Sequence, residues 1–137
     1  MNRSLVFLLI VAPVAAVPLV AGAQPAKPAL YTADQATAGA AVYAQSCAAC
    51  HGAQMEGVAA PALKGPALGD MAAAQGLTAQ TLLDVVANTM PQSDPGSLKP
   101  EEYNAVTAYI LQQNNYPAGT AALTTGAAGL KDAKITP

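Results

Sequence analysis

Cys47-Ala48-Ala49-Cys50-His51 constrains this 137-residue chain more than any other stretch. Two thiols three positions apart, followed at once by an imidazole, form the Cys-x-x-Cys-His pattern through which c-type haem is attached. On one helical turn each thiol can add to one vinyl group of the same porphyrin. His51 then lies under the iron and offers one axial nitrogen. Other uses of a Cys-x-x-Cys are disfavoured by counting. A structural zinc site takes about four Cys or His ligands, and the whole chain has two Cys and one His. A thioredoxin-like dithiol follows a strand in a βαβ unit, whereas the residues before Cys47 are helical in pattern. A disulfide between the two would close a tiny, strained loop.

The amino terminus has the pattern of an export signal. Asn2-Arg3 is a short charged start, Leu5 to Val20 is apolar, and Ala21-Gly22-Ala23 is a small-x-small cleavage site. The expected division is a signal peptide over 1–23, a lead-in over 24–33, a folded domain over 34–116 and a tail over 117–137. The apolar run of 16 residues falls short of the roughly 20 that span a bilayer. No stable membrane insertion is therefore expected, and the expected location is the periplasm. Export also suits a haem that is joined to the chain after translocation.

Without Arg3 the chain has five lysines against eight acidic residues, a balance that makes a nucleic-acid partner a poor fit. Trp is absent and the only Phe is Phe7, so five Tyr supply the aromatic bulk of the domain. So thin a core gains from a porphyrin acting as its largest apolar group.

Along the domain, Thr32 and Gln35 have the spacing of a capping box and predict a helix from Ala33 to Ser46 or Cys47. Gly39 inside it costs about 1 kcal/mol relative to Ala, a cost that makes sense where another helix crosses closely. Gly52, Gly57, Pro61, Gly65, Pro66 and Gly69 predict an irregular loop of about twenty residues that wraps the haem edge on the His51 side. Leu63 and Leu68 are its apolar anchors. A second helix is expected from Thr78 to near Asn88, before Met90-Pro91, with Leu82, Leu83, Val85 and Val86 as its apolar contacts. A third is expected from Pro100 to about Gln113, with Glu101 and Glu102 at the positive end of its dipole and Asn114-Asn115 stopping it. From Tyr116 onward the chain reads as a tail that lies over the domain or frays.

A second axial ligand must come from elsewhere. No second His exists, which leaves methionine sulfur. Met55 is four residues past His51, a reach of roughly 13 Å at full stretch, too short to round the macrocycle. Met71 sits in an Ala-rich segment with no neighbouring device to fix it. Met90 follows a helix and is stiffened by Pro91, so Met90 is the expected ligand and Met71 the alternative.

In this order the features resemble those of class I c-type cytochromes: Gly39 and Tyr43, the haem motif with Gly52, Pro61-Ala62-Leu63, Met90-Pro91, then Ala108-Tyr109-Ile110-Leu111. The resemblance covers about Asp34 to Tyr116. It implies an all-α fold, a small cytochrome c of three main helices around one covalently bound haem c. It implies that first and last helices cross at Gly39, Tyr43 and Tyr109. It also implies that a proline after the motif, Pro61 or else Pro66, offers its carbonyl to the second nitrogen of His51. Ser93 to Tyr116 further resembles the small cytochromes that serve periplasmic quinoprotein alcohol dehydrogenases.

The expected site is Cys47, Cys50, Pro61 and Leu63 around the haem, with His51 and Met90 on the iron. The expected function is a periplasmic one-electron carrier, not an enzyme, working between a dehydrogenase and a terminal oxidase or another cytochrome. An electron-transfer subunit of a dehydrogenase complex is the alternative. A haem sensor or enzyme with an open distal site is a third reading, which the lack of a distal His or Arg disfavours. Only Lys64 and Lys99 lie near the expected haem edge, so docking is expected to use small apolar residues rather than a lysine ring.

Overall fold

The structure, a computed structural model, describes residues 26–136. The expected leader over 1–23 lies outside them. Five helices follow in order: α1 Ala33–Ser46, α2 Ala48–His51, α3 Gly65–Gln75, α4 Ala79–Thr89 and α5 Pro100–Gln113. Among the described residues the only β pairing is an isolated bridge between Thr78 and Lys134. No helix there is long and apolar enough to cross a membrane.

The chain stops and starts its helices with local chemistry. Thr32 Oγ1 accepts the Gln35 amide at the start of α1. The Thr78 and Thr81 side chains cap reciprocally at the start of α4. Pro100 occupies the first turn of α5, where its missing N–H costs nothing, and Glu102 accepts the Lys99 amide. α4 stops at Met90, which is extended (φ −118°, ψ 152°) ahead of Pro91.

α1 and α5 cross to make the main core. A β-carbon on Gly39 would lie 1.9 Å from Ala105 O, so only glycine permits the two backbones to approach this closely. One turn along, the Tyr43 and Tyr109 rings pack at 5.6 Å between centroids, tilted by 58°. α1 also packs on α2 and α4 packs on α5, whereas α3 packs on no other helix among the described residues.

Two expectations need correction. The irregular stretch after the haem motif ends at Lys64, because residues 65–75 form α3. Gly65, Pro66 and Gly69 read as helix breakers, yet Pro66 lies in the first turn of α3, where proline is well tolerated. Met71 therefore stands on a helix, and the expectation that nothing fixes it does not hold. The second correction concerns Gln35. Its side chain does not complete a capping box; it reaches Leu123 in the tail, donating to Leu123 O at 2.7 Å and accepting from Leu123 N at 2.8 Å. Of the two fates expected for the tail, it lies over the domain, with Leu123, Leu130 and Ile135 buried.

Candidate functional site

The haem motif occupies a single turn. Cys47 (φ −125°, ψ −35°) breaks α1 and begins α2, and Gly52 at φ 87° ends α2 directly after His51. The two cysteines form no disulfide; Cys50 is exposed and Cys47 is partly covered. Burial pushes the Cys47 thiol up from its ordinary range, and the neighbouring Cys50 adds to the shift.

Residues 52–64 then double back over this turn. The amides of Val58, Ala59 and Ala60 converge on Cys50 O at 2.9–3.2 Å, and the Gly57 amide reaches His51 O at 2.7 Å. Gly57 (φ 80°) is needed for this fold-back, since a β-carbon there would meet Ala62 N at 2.8 Å. Met55 is buried beneath the loop and accepts the Leu63 amide on its carbonyl. The result is that Pro61 O sits 2.7 Å from His51 Nδ1. Pro66, the alternative, lies in the first turn of α3.

A hydrogen bond to the Pro61 carbonyl requires the proton on Nδ1, which leaves Nε2 with a free lone pair. Tyr43 OH adds a second tie by donating to Gly52 O at 2.7 Å. At the far end of the loop the buried side chain of Asn114 donates to Leu63 O at 2.9 Å and accepts the Gly65 amide at 3.0 Å. The end of α5 thereby holds both Leu63 and the start of α3.

His51, Pro61 and Leu63 line one side of an apolar cleft that encloses about 690 Å³, counting the open space at its mouth. The rest of the lining comes from α3, α4 and the residues flanking them, with Leu68, Met71, Leu77, Leu82, Val86 and Met90 among its residues. Leu82, Val85, Val86 and Met90 recur at helical spacing on the cleft side of α4. The structure thus brings His51, Pro61, Leu63 and Met90 to one cavity, which Met71 lines as well. Sequence reading named Leu82, Val85 and Val86 as apolar contacts without assigning them to the cavity. It missed Gln75 and Leu77, which precede α4 with no period of their own.

An apolar slot with one imidazole and two thioethers on its walls, beside two adjacent thiols, is a donor set that fits a haem. No three of His, Cys, Asp and Glu gather elsewhere among the described residues to hold a metal ion by themselves.

Residues 34–110 match the family model described as cytochrome c oxidase, cbb3-type, subunit III. This chain belongs to that family of c-type cytochrome domains. It is an all-α electron-transfer domain, and it carries one covalent haem c. Among solved structures the cytochrome domain is similar to the sulfane dehydrogenase SoxCD from Paracoccus pantotrophus, at 27% identity over 73% of this chain and 50% of that one, with a TM-score of 0.47. It is also similar to the thiosulfate dehydrogenase TsdBA from Marichromatium purpuratum, at 34% identity over 62% of this chain and 20% of that one, with a TM-score of 0.43. The chain spans half or less of the length of these two matched chains. No curated protein matches it.

Proposed function

We propose that this cytochrome domain is an exported one-electron carrier whose haem is joined to Cys47 and Cys50 and ligated by His51 and Met90. What supports the reading is the cleft itself, which both His51, with its Nδ1 engaged by Pro61 O, and Met90 line. When bound, the haem supplies a one-electron ferric–ferrous couple. His51 would hold the iron through Nε2, with Pro61 O fixing the ring plane and raising its basicity. Met90 would supply a thioether to the iron, a ligand that favours the reduced state. Leu63, Leu68, Leu82 and Val86 exclude water from the cleft, and a dry site limits solvent reorganisation when charge changes.

The electrons would pass from a periplasmic dehydrogenase, of the quinoprotein kind on the resemblance of Ser93 to Tyr116, to a terminal oxidase or another cytochrome. A dehydrogenase-complex subunit would use the same residues, and native mass spectrometry of periplasmic extract separates it from a free carrier. The same measurement should find the chain beginning within a residue or two of Gln24. The attachment is tested by acid–acetone extraction. Wild-type haem should stay with the chain, and the Cys47→Ser/Cys50→Ser variant should release it. Free extraction of wild-type haem overturns the proposed attachment.

A further inference from the structure

The tail closes the start of α4 in a way that local sequence cannot. A helix begins with four N–H groups that have no partner within it. At α4 the tail takes two of them: Ala79 N donates to Ala133 O at 2.8 Å and Gln80 N to Leu130 O at 3.0 Å. The tail also gives hydrogen bonds back. Ile135 N donates to Leu77 O at 2.9 Å and Gly126 N to Gln80 Oε1 at 3.1 Å. Leu77 is itself a wall residue of the haem cleft.

The other side of the tail is fastened to the opposite half of the domain. Gln35 of α1 holds both backbone groups of Leu123. Gly119 N donates to Tyr31 O at 2.7 Å, just ahead of α1. Tyr31 OH donates to Tyr116 O, and Tyr116 OH donates to Lys134 O at 2.8 Å. The tail therefore bridges the half that bears His51, built on α1 and α2, and the half that bears Met90, built on α3 and α4. Among the described helices α4 packs only on α5, and α3 on none.

We infer that residues 116–136 are a strap that positions the Met90 wall, so that the lifetime of the Met90–iron bond is set in part by the tail. The inference rests on the reading of Met90 as the sixth ligand. α4 carries the effect: its first turn is held by the strap and Met90 follows its last. Loosening the first turn lets the wall move away from His51, while Cys47, Cys50 and the α1–α5 core are untouched.

The test uses the full-length, haem-loaded protein. Gln35→Ala and Leu130→Ala weaken the strap from α1 and from within it, and neither residue lines the cleft. Imidazole must wait for the sixth ligand to leave before it binds ferric iron. Its binding should be about tenfold faster or more in the double variant, a factor typical of coupled sites. The long-wavelength sulfur-to-iron band should weaken in parallel. Gln35→Glu, which keeps the acceptor for Leu123 N, should fall between, and Lys131→Ala on the exposed side of the tail should match wild type. Coupling is reciprocal, so Met90→Ala should raise hydrogen exchange at Ala79, Gln80 and Ile135 while leaving α1 and α5 protected. This second measurement decides the matter if the double variant does not fold. If the band disappears in Met90→Ala but imidazole rates in the strap variants and exchange at Ala79, Gln80 and Ile135 stay at wild-type values, the strap is overturned and the ligand reading stands. A band that survives Met90→Ala overturns both.

Discussion

Gly39 of α1 meets the backbone of Ala105 in α5 so closely that a β-carbon would lie 1.9 Å from the Ala105 carbonyl oxygen. The obstacle is backbone, with another helix behind it, so it cannot rotate out of the way. Gly39→Ala must push the two helices apart and disturb the Tyr43–Tyr109 contact beside them. Overpacking usually costs 1–3 kcal/mol and occasionally more; here about 3 kcal/mol or more is expected. Denaturant unfolding of the haem-loaded variant measures it, and a loss within about 0.5 kcal/mol would contradict the crossing.

Asn114 should matter more than its place at a helix end implies. Its side chain serves Leu63 O, Ile110 O and the Gly65 amide at once. Asn114→Ala leaves these groups short of partners, and about 2–3 kcal/mol of stability should be lost. Because Leu63 is a cleft residue, the haem absorption envelope should shift slightly as well. Thermal unfolding and the visible spectrum check the two effects together.

These two residues also show what a sequence can and cannot disclose. The start and end of α1, α4 and α5 were legible because Thr32, Thr78, Pro100, Met90-Pro91 and Asn114-Asn115 act within a few residues of themselves. Gln35 and Asn114 were read locally, as half of a capping box and as a helix stop. Their partners lie 88 and 51 positions away along the chain, and no local pattern carries that information. α3 was hidden by Gly65, Pro66 and Gly69, residues that mark loops unless tertiary contacts override them. The tail was hidden because Leu123, Leu130 and Ile135 follow neither a helical nor a strand period. Among the cleft residues, His51 was singled out by the haem motif and Met90 by counting candidate ligands, whereas Leu77 owes its place to the fold alone.

Tyr43 makes stability depend on alkaline pH. Burial pushes its phenol up to about 12, with smaller pushes from Cys47, Glu56 and Tyr109. As a thioether Cys47 carries no charge, so its share disappears in the haem-loaded protein, and burial still holds the phenol above its usual value near 10. An unfolded chain releases this proton near pH 10 while the folded chain retains it. The stabilisation is thus complete below pH 10 and is lost as pH rises toward 12. Denaturant unfolding at about pH 9 and about pH 11.5 should show the decline, and Tyr43→Phe should reduce it. At neutral pH Tyr43→Phe should cost only about 1 kcal/mol, because Gly52 O keeps the Met55 amide at 3.2 Å.

The identity of the sixth ligand bears most directly on the account, since both Met71 and Met90 line the cleft. The deciding measurement is the weak long-wavelength sulfur-to-iron charge-transfer band of the oxidised protein, recorded for wild type, Met90→Ala and Met71→Ala. Wild type and Met71→Ala should show the band, and Met90→Ala should lose it. Met90→Ala should also have a lower potential and a ferrous form that binds carbon monoxide readily. A band that vanishes with Met71→Ala and survives Met90→Ala would contradict the assignment. Ready carbon monoxide binding by the wild-type ferrous protein would contradict the closed carrier site itself.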